Sequence, residues 1–284
     1  MRPWLGWPAR RLLFSSVAMV ALVATACSRD PRPGTPEAAA EGERYMRQMS
    51  DTLATDRALS FTTTEILEGV EPTREKRPLH FSRRVIVRRP NGLLFELHGS
   101  GGTELEVAAY YDGETLSLRG DVGKVWAQTD VPGTLDEMLD DVARRFSLPV
   151  PVADVIYSSP YDAFLGGNAR GGFVGRETID GVECVELAYD DAFVEIRLWI
   201  PTSGQALPRR LEIAYKQVPG KPISQMTFTS WNLDIEVDDG MFTFQPPQDY
   251  SRIAVEEFVA GHGSSGAAAP APPGAVDPIG PVPQ

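Results

Sequence analysis

Histidine and cysteine are scarce in this chain, and so are the local motifs of catalysis. Its 284 residues include three histidines and two cysteines. His80, His98 and His262 are too few and too scattered for a zinc site, and no HExxH pair is present. The glycine pairs fit neither a Walker loop nor a GxGxxG turn, and the late GSSG has no strand before it and no helix after it, unlike a nucleophile elbow. We therefore expect no catalytic residue, no metal site and no cofactor, and the sequence indicates a protein that is not an enzyme.

Positive charge is also in short supply. The formal net charge is −12, and loss of Arg2, Arg10 and Arg11 with a cleaved N-terminal segment would lower it to −15. Such an acidic chain is unsuited to nucleic acid, so no nucleic-acid partner is expected. The arginines that do cluster fall in strand-like stretches, where we expect solvated pairs with acidic residues on neighbouring strands. They are Arg83, Arg84, Arg88, Arg89, Arg209 and Arg210.

The N-terminal segment has the order of a secretory signal peptide. Arg10 and Arg11 precede a mostly apolar run at 12–28, which is shorter than the roughly 20 residues of a membrane-spanning helix. The residues ATAC within it resemble a bacterial lipobox, in which cleavage makes a lipid-bearing Cys27 the first residue of the mature protein. An ordinary cleaved signal and an uncleaved anchor are the alternatives. Two or three acyl chains on Cys27 would hold the protein on a membrane, and Ser28 favours the outer membrane, on its periplasmic side.

Composition divides the chain into four parts. We expect a lipoprotein signal peptide at 1–26, a polar tether at 27–36, one folded half-barrel domain at 37–257 and a disordered tail rich in Pro, Ala and Gly at 258–284. Cys184 lies in an apolar strand-like run, which favours a small buried hydrophobic residue. A reactive thiol and a disulfide with Cys27 are the alternatives.

The folded domain is predicted to begin with a helix and to continue with strands. Thr35 as N-cap and Pro36 at the first helical position predict an amphipathic helix of four or five turns. Apolar and β-branched runs then recur at meander spacing, from LSFTTTEIL to MFTFQPP, with hairpin turns such as Asp180-Gly181. The predicted fold is mainly β (α+β): a curved, half-open antiparallel β-barrel of roughly ten to twelve strands with covering helices.

One predicted helix interrupts the strands. Thr134 and Glu137 make a capping box in TLDEMLDDVARRFSLP, and the apolar residues that follow line one face. A second, shorter helical piece is expected around 152–165. An amphipathic helix between two halves of a β-meander must turn its apolar face to the sheet, so we expect these helices to form a lid.

Several stretches, in order, resemble a known family. VRRPNGLLFEL, YYDGETLSL, GRETIDGVECVELAY and FTSWNLDIEVDDGMFTFQPP look like the predicted periplasmic proteins grouped as domain of unknown function 2092. That family is similar in fold to the LolA-like lipoprotein carriers, unclosed antiparallel β-barrels whose concave apolar face is covered by helices and takes up acyl chains. The resemblance implies this fold, but it implies no ligand and no catalytic residue. Soluble carriers move through the periplasm, whereas a lipidated Cys27 would fix this protein to a membrane.

The concave face and its covering helix supply the candidate ligand-lining residues. They are Met138, Val142, Phe146, Leu198, Ile200, Leu211, Ile213 and Phe228. These residues line a cavity or fill a solid core, and the sequence leaves both possibilities open. Our hypothesis is an envelope-anchored lipoprotein that binds a lipid, acyl chain or other hydrophobic ligand without catalysis. The alternative is a structural or sensory module that acts through its surface on another envelope protein.

Overall fold

The computed structural model describes residues 30–55, 57–68, 78–102, 105–146, 152–166, 169–218 and 220–262. The predicted signal peptide, Cys27 and most of the predicted tail lie outside these residues. The elements below belong to one compact unit that starts at Pro31. No helix among the described residues is both long and apolar enough to cross a membrane.

Five α-helices and twelve strands make up this unit in the described ranges. The helices are α1 (Pro36–Thr55), α2 (Leu135–Phe146), α3 (Ala153–Ile156), α4 (Pro160–Leu165) and α5 (Val255–His262). The strands are β1 (Ala58–Glu68), β2 (Leu79–Arg88), β3 (Gly92–Ser100), β4 (Glu106–Tyr111), β5 (Thr115–Gly120), β6 (Val125–Asp130), β7 (Arg170–Ile179), β8 (Val182–Asp190), β9 (Val194–Pro201), β10 (Arg210–Tyr215), β11 (Ile223–Asn232) and β12 (Ser251–Arg252).

All twelve strands form one open sheet in the order β12-β6-β5-β4-β3-β2-β1-β11-β10-β9-β8-β7. The pairs are antiparallel except for β12, which lies parallel to β6. Two meanders, β1 to β6 and β7 to β11, are joined where β1 pairs with β11. The fold is therefore the predicted mainly β arrangement, an unclosed antiparallel sheet with covering helices, and β7 and β12 are its edges.

The local signals in the sequence act as predicted. The Thr35 hydroxyl accepts a hydrogen bond from the amide of Ala38 at 3.3 Å, which caps α1. Thr134 and Glu137 form the reciprocal capping box of α2, with the Thr134 amide 2.7 Å from the Glu137 carboxylate and the Glu137 amide 3.3 Å from the Thr134 hydroxyl. Asp180 and Gly181, both with positive φ, turn the chain between β7 and β8.

The MFTFQPP stretch is not the strand that its alternation predicted. It contains the end of a 3₁₀ helix, Asp239–Met241, and an extended stretch that crosses the face of the sheet turned away from the helices. Phe242 is buried there against Ile86 and Leu94, and the Phe244 ring lies 5.3 Å from that of Tyr110. The alternating aromatic residues therefore anchor a strap, 233–250, on this outer face, and the strap leads to β12.

The last helix, α5, runs beyond residue 257, where we expected the folded domain to end. Val255 and Phe258 are buried in the main core, and the His262 ring stacks on Phe258 with a centroid distance of 4.3 Å. Burial of this apolar face explains why the chain remains helical to His262.

Cys184 lies on the outer face and not in the main core. It is buried in a small cluster with Ile179 and Trp199. Burial raises the pKa of its thiol, as expected for a cysteine that acts as a buried apolar residue.

Candidate functional site between the sheet and the helices

The helices cover one face of the sheet, which we call the core face. Its strand residues include Phe61, Val85, Leu187, Leu198 and Phe228, all at most 1% exposed. They belong to one continuous apolar cluster with the buried sides of α1, α2, α3, α4 and α5. The core face and its helices therefore share a single apolar interior, which is the largest apolar region in the described part of the chain.

The structure brings all eight predicted ligand-lining residues into this one cluster. Six of them are buried: Met138, Val142, Leu198, Ile200, Leu211 and Phe228. Phe146 and Ile213 are partly exposed and pack against the others. The alternation along the strands and the helical spacing in α2 therefore predicted that these residues lie on the core face of the sheet and on the side of α2 that packs against it. Their role in ligand binding stays a prediction.

The α2 end of the helical cover is held to the sheet by polar contacts. The hydroxyl of Tyr111, at the end of β4, donates to the carbonyls of Val131 at 3.0 Å and Gly133 at 2.8 Å, which fixes the connection into α2. Burial raises the pKa of Tyr111 to about 12, so its hydroxyl remains a donor at neutral pH. Arg89 donates to the carbonyls of Ile156 and Tyr157 at 2.9 and 3.0 Å, which holds the end of α3.

Further polar contacts join the helices to one another. The amide of Ser158 donates to the Asp136 carboxylate at 3.0 Å, and the Tyr157 hydroxyl donates to that of Asp140 at 2.8 Å, which links α2 to the segment after α3. The amide of Tyr161 donates to the Ser50 hydroxyl at 3.1 Å, which links α4 to α1. The first link comprises three hydrogen bonds, because the Ser158 hydroxyl also donates to Asp136. In the second link, the Arg47 guanidinium also lies over the Tyr161 ring, 4.1 Å from its centroid.

An open groove of about 810 Å³ runs beside α1. Its lining residues are Arg44, Tyr45, Gln48, Asp51, Thr52, Pro201, Thr202, Ser203, Gly204, Gln205, Ala206 and Leu233. Tyr45 belongs to the apolar cluster, and Ala206 and Leu233 pack against it. The groove therefore borders the edge of the apolar cluster near the ends of β9 and β11. None of its lining residues is among the eight predicted from the sequence.

A polar cluster lies on the otherwise apolar core face. Arg83 in β2 and Glu65 in β1 form an ion pair, with their side chains 0% and 4% exposed. The hydroxyl of Ser224 in β11 donates to the other oxygen of the Glu65 carboxylate. The hydroxyl of Thr63, which pairs in register with Arg83, is buried as well.

The polar cluster corrects the expectation that the clustered arginines form solvated pairs. That expectation is right for Arg84, which is exposed and 3.1 Å from Glu96. It is wrong for Arg83, which shares the core face with Phe81 and Val85 because alternate strand residues point the same way. In the HFSRRVIV stretch, Arg83 alternates with the apolar residues Phe81 and Val85, and this alternation was the signal that could have predicted a buried arginine.

Helix α3 contributes a further carboxylate, Asp154, whose charge acts on Tyr215. Burial raises the pKa of Asp154 to about 7. The pKa of Tyr215, at the end of β10, is raised chiefly by burial and then by the charges of Glu65 and Asp154. Tyr215 therefore lies within electrostatic reach of both the helix and the buried ion pair. Among the described residues, no three His, Cys, Asp or Glu side chains are grouped as metal ligands would be.

A family profile described as "Predicted periplasmic protein (DUF2092)" matches residues 42–256. Because the match spans most of the chain, the chain belongs to this family of predicted periplasmic proteins. The resemblance seen in the sequence is thereby confirmed. No protein of curated function matches the chain.

Several solved bacterial structures are similar to this chain. An uncharacterized conserved protein from Thermus thermophilus is 8% identical, with 74% of this chain and 98% of that chain covered and a TM-score of 0.44. The lipoprotein LppX of Mycobacterium tuberculosis is 15% identical, with 69% and 97% covered and a TM-score of 0.42. A LolA superfamily protein from Nitrosomonas europaea is 10% identical, with 72% and 99% covered and a TM-score of 0.37.

Proposed function

We propose that this protein is a non-catalytic envelope lipoprotein that binds a lipid, acyl chain or other hydrophobic ligand between the core face and the helices. The observation that carries the proposal is the groove beside α1, because its lining residues Tyr45, Ala206 and Leu233 also form part of the edge of the apolar cluster. An acyl chain that enters there exchanges its contact with water for contact with apolar side chains.

The energetics favour such an exchange. Each methylene moved out of water contributes about 0.8 kcal/mol, so a chain of about 14 carbons gains on the order of 10 kcal/mol. The polar links between neighbouring helices are few: Ser158 makes two hydrogen bonds to Asp136, and the amide of Tyr161 makes one to Ser50. A neutral hydrogen bond contributes about 1 kcal/mol net, and one to a charged group about 1.5–3 kcal/mol. A bound chain can therefore replace the helix contacts that the ligand displaces.

The location of the protein follows from its N-terminus. In this proposal Cys27 carries the lipid anchor, and the folded domain lies on the periplasmic side of the outer membrane. Mass spectrometry of the N-terminal peptide from native membranes would detect a diacylglyceryl group on Cys27. A Cys27→Ser variant, recovered without the lipid and released from the membrane, would serve as the control.

Ligand binding is tested with the full mature chain and the fluorescent probe N-phenyl-1-naphthylamine. We expect saturable binding by the native protein, and native mass spectrometry of protein from its host should show a bound lipid. Ala206→Trp fills the inner end of the groove and should weaken binding of the probe by about tenfold or more, a loss of roughly 1.4 kcal/mol. Ala192→Trp places the same side chain at an exposed turn between β8 and β9 and should bind as the native protein does.

Failure of the native protein to bind the probe, together with an empty protein from the host, would overturn the proposal. Crosslinking in the envelope would then test the alternative, a module that acts on another envelope protein. Equal losses in Ala206→Trp and Ala192→Trp would show that binding does not involve the groove.

A further inference from the structure

The buried ion pair of the polar cluster is balanced in charge but incomplete in hydrogen bonding. Among the described residues, Glu65 accepts from Nη2 of Arg83, whereas Nε and Nη1 of Arg83 have no acceptor. The buried Thr63 hydroxyl opposite Arg83 has no partner in the same part of the chain either. Three polar atoms on adjacent strands are thus buried and unmatched.

Buried polar atoms that have no hydrogen-bond partner lower the stability of the folded protein. A buried donor without an acceptor is destabilising, and more so when the group is charged. A buried ion pair can often be replaced by apolar residues of similar volume without loss of stability. The neighbouring residues Phe81 and Val85 on the same face of β2 are apolar, so packing alone gives no reason for an arginine at position 83.

The missing partner is a hydrogen-bond acceptor and not a negative charge. Glu65 already neutralises Arg83, and Ser224 donates to the remaining Glu65 oxygen. A carboxylate ligand would bring a second negative charge beside Glu65 in a region of low polarity, which is costly. A neutral carbonyl oxygen satisfies the Arg83 donors without adding charge.

We propose that Arg83 binds the ester carbonyl of an acyl-chain ligand, with the Thr63 hydroxyl beside it, so that the protein selects acyl esters over free fatty acids and hydrocarbons. This inference rests on the proposed function, because it names the class of ligand that the apolar interior takes up. The chain of the ester packs among apolar residues that flank the polar cluster, such as Phe81 and Phe228.

The test compares competitors of equal chain length on the full mature protein. Methyl myristate, myristate and tetradecane displace N-phenyl-1-naphthylamine from the native protein and from a Glu65→Met/Arg83→Met variant. The double variant keeps the volume and removes both charges, so it should fold. Since each competitor has the same solubility in both assays, the change in the ester-to-tetradecane affinity ratio isolates the contribution of the polar cluster.

We expect that ratio to fall by about tenfold to a hundredfold in the double variant, as expected for the loss of a hydrogen bond from a charged donor. A second readout is the infrared carbonyl stretch of methyl myristate labelled with ¹³C at the carbonyl. The band should lie at lower frequency in the native protein than in the double variant, because a hydrogen bond from the guanidinium weakens the C=O bond.

The outcomes separate the two proposals. If the native protein binds neither the probe nor any competitor, the proposed function fails. If it binds the probe but the affinity ratio and the carbonyl band are the same in both proteins, the polar cluster is purely structural and only this inference is overturned. Tighter binding of myristate than of methyl myristate, dependent on Arg83, would also overturn it, since the site would then recognise an anion.

Discussion

Replacement of Gly42 by alanine tests how closely the helical cover lies on the sheet. A Cβ at this position in α1 would lie 2.5 Å from the Cα of Gly172 and 2.9 Å from the amide nitrogen of Phe173, both in β7. Unstrained carbon contacts are about 3.5–4.0 Å, so the substitution must separate α1 from β7 by about 1 Å. The atoms in the way belong to the backbone, and no side-chain rotation relieves the overlap.

Two opposing effects set the magnitude. Overpacking of this kind costs about 1–3 kcal/mol, whereas alanine in place of glycine within a helix gains about 0.5–1 kcal/mol. We expect a net loss of about 1–2 kcal/mol, which corresponds to a fall in Tm of roughly 2–8 °C for a chain of this size. Thermal unfolding followed by circular dichroism measures this change.

A matched control is available in α5. Gly261 is also helical, and a Cβ there would have no neighbour within 4 Å. Gly261→Ala should therefore be neutral or stabilising by up to about 1 kcal/mol, from helix propensity alone. Equal stability of Gly42→Ala and Gly261→Ala would refute the backbone contact between α1 and β7, and with it the position of the groove wall.

Three further predictions concern buried polar groups. Burial raises the pKa of Asp154 from 3.8 to about 7, so the native state binds the carboxyl proton more tightly than the unfolded state. The free energy of unfolding should therefore fall as the pH rises from about 4 to 7, by at most about 4 kcal/mol. Denaturant titrations of Asp154→Asn should lack that part of the decline. Tyr111→Phe removes the hydroxyl bonded to Val131 and Gly133 and should cost about 1–2 kcal/mol in urea unfolding; an unchanged midpoint would contradict its role in holding α2. Arg83→Met alone leaves Glu65 buried and unpaired and should cost about 3–5 kcal/mol, most of it recovered in the double variant with Glu65→Met.

The sequence predicted those features of the fold that depend on neighbouring residues. The capping box of Thr134 and Glu137 and the Asp180-Gly181 turn each act within a few residues, and each is present in the structure. The pairing of β1 with β11 joins residues such as Thr63 and Phe228, which are far apart in the chain. Propensity and periodicity carry no information on such a pairing, since register between distant strands is set by the packing of the whole sheet.

The sequence predicted the apolar lining of the candidate site, but not its polar cluster or its groove. The apolar lining followed from periodicity, because apolar side chains of one parity must share a face of the sheet. The polar cluster was missed because the composition of an arginine-rich stretch favoured solvent exposure, although the parity of Arg83 with Phe81 and Val85 pointed to the core face. The groove was missed because it depends on how α1 and the loop at 202–206 lie together in three dimensions.

The two faces of the sheet are covered in different ways, and this difference favours the core face as the ligand site. The outer face of β2 to β6 is covered by the strap 233–250, a continuous segment that extends from β11 and is fixed at its far end by the pairing of β12 with β6. The core face is closed by separate helices, of which α3 and α4 are a few residues long and are joined to their neighbours by a few polar contacts, such as that of Tyr161 with Ser50. Removal of the strap would break strand pairing and an aromatic cluster together, whereas movement of the short helices breaks a few hydrogen bonds at the edge and exposes apolar surface that a ligand can cover. For the ligand proposed above, access to the core face therefore costs less free energy than access to the outer face.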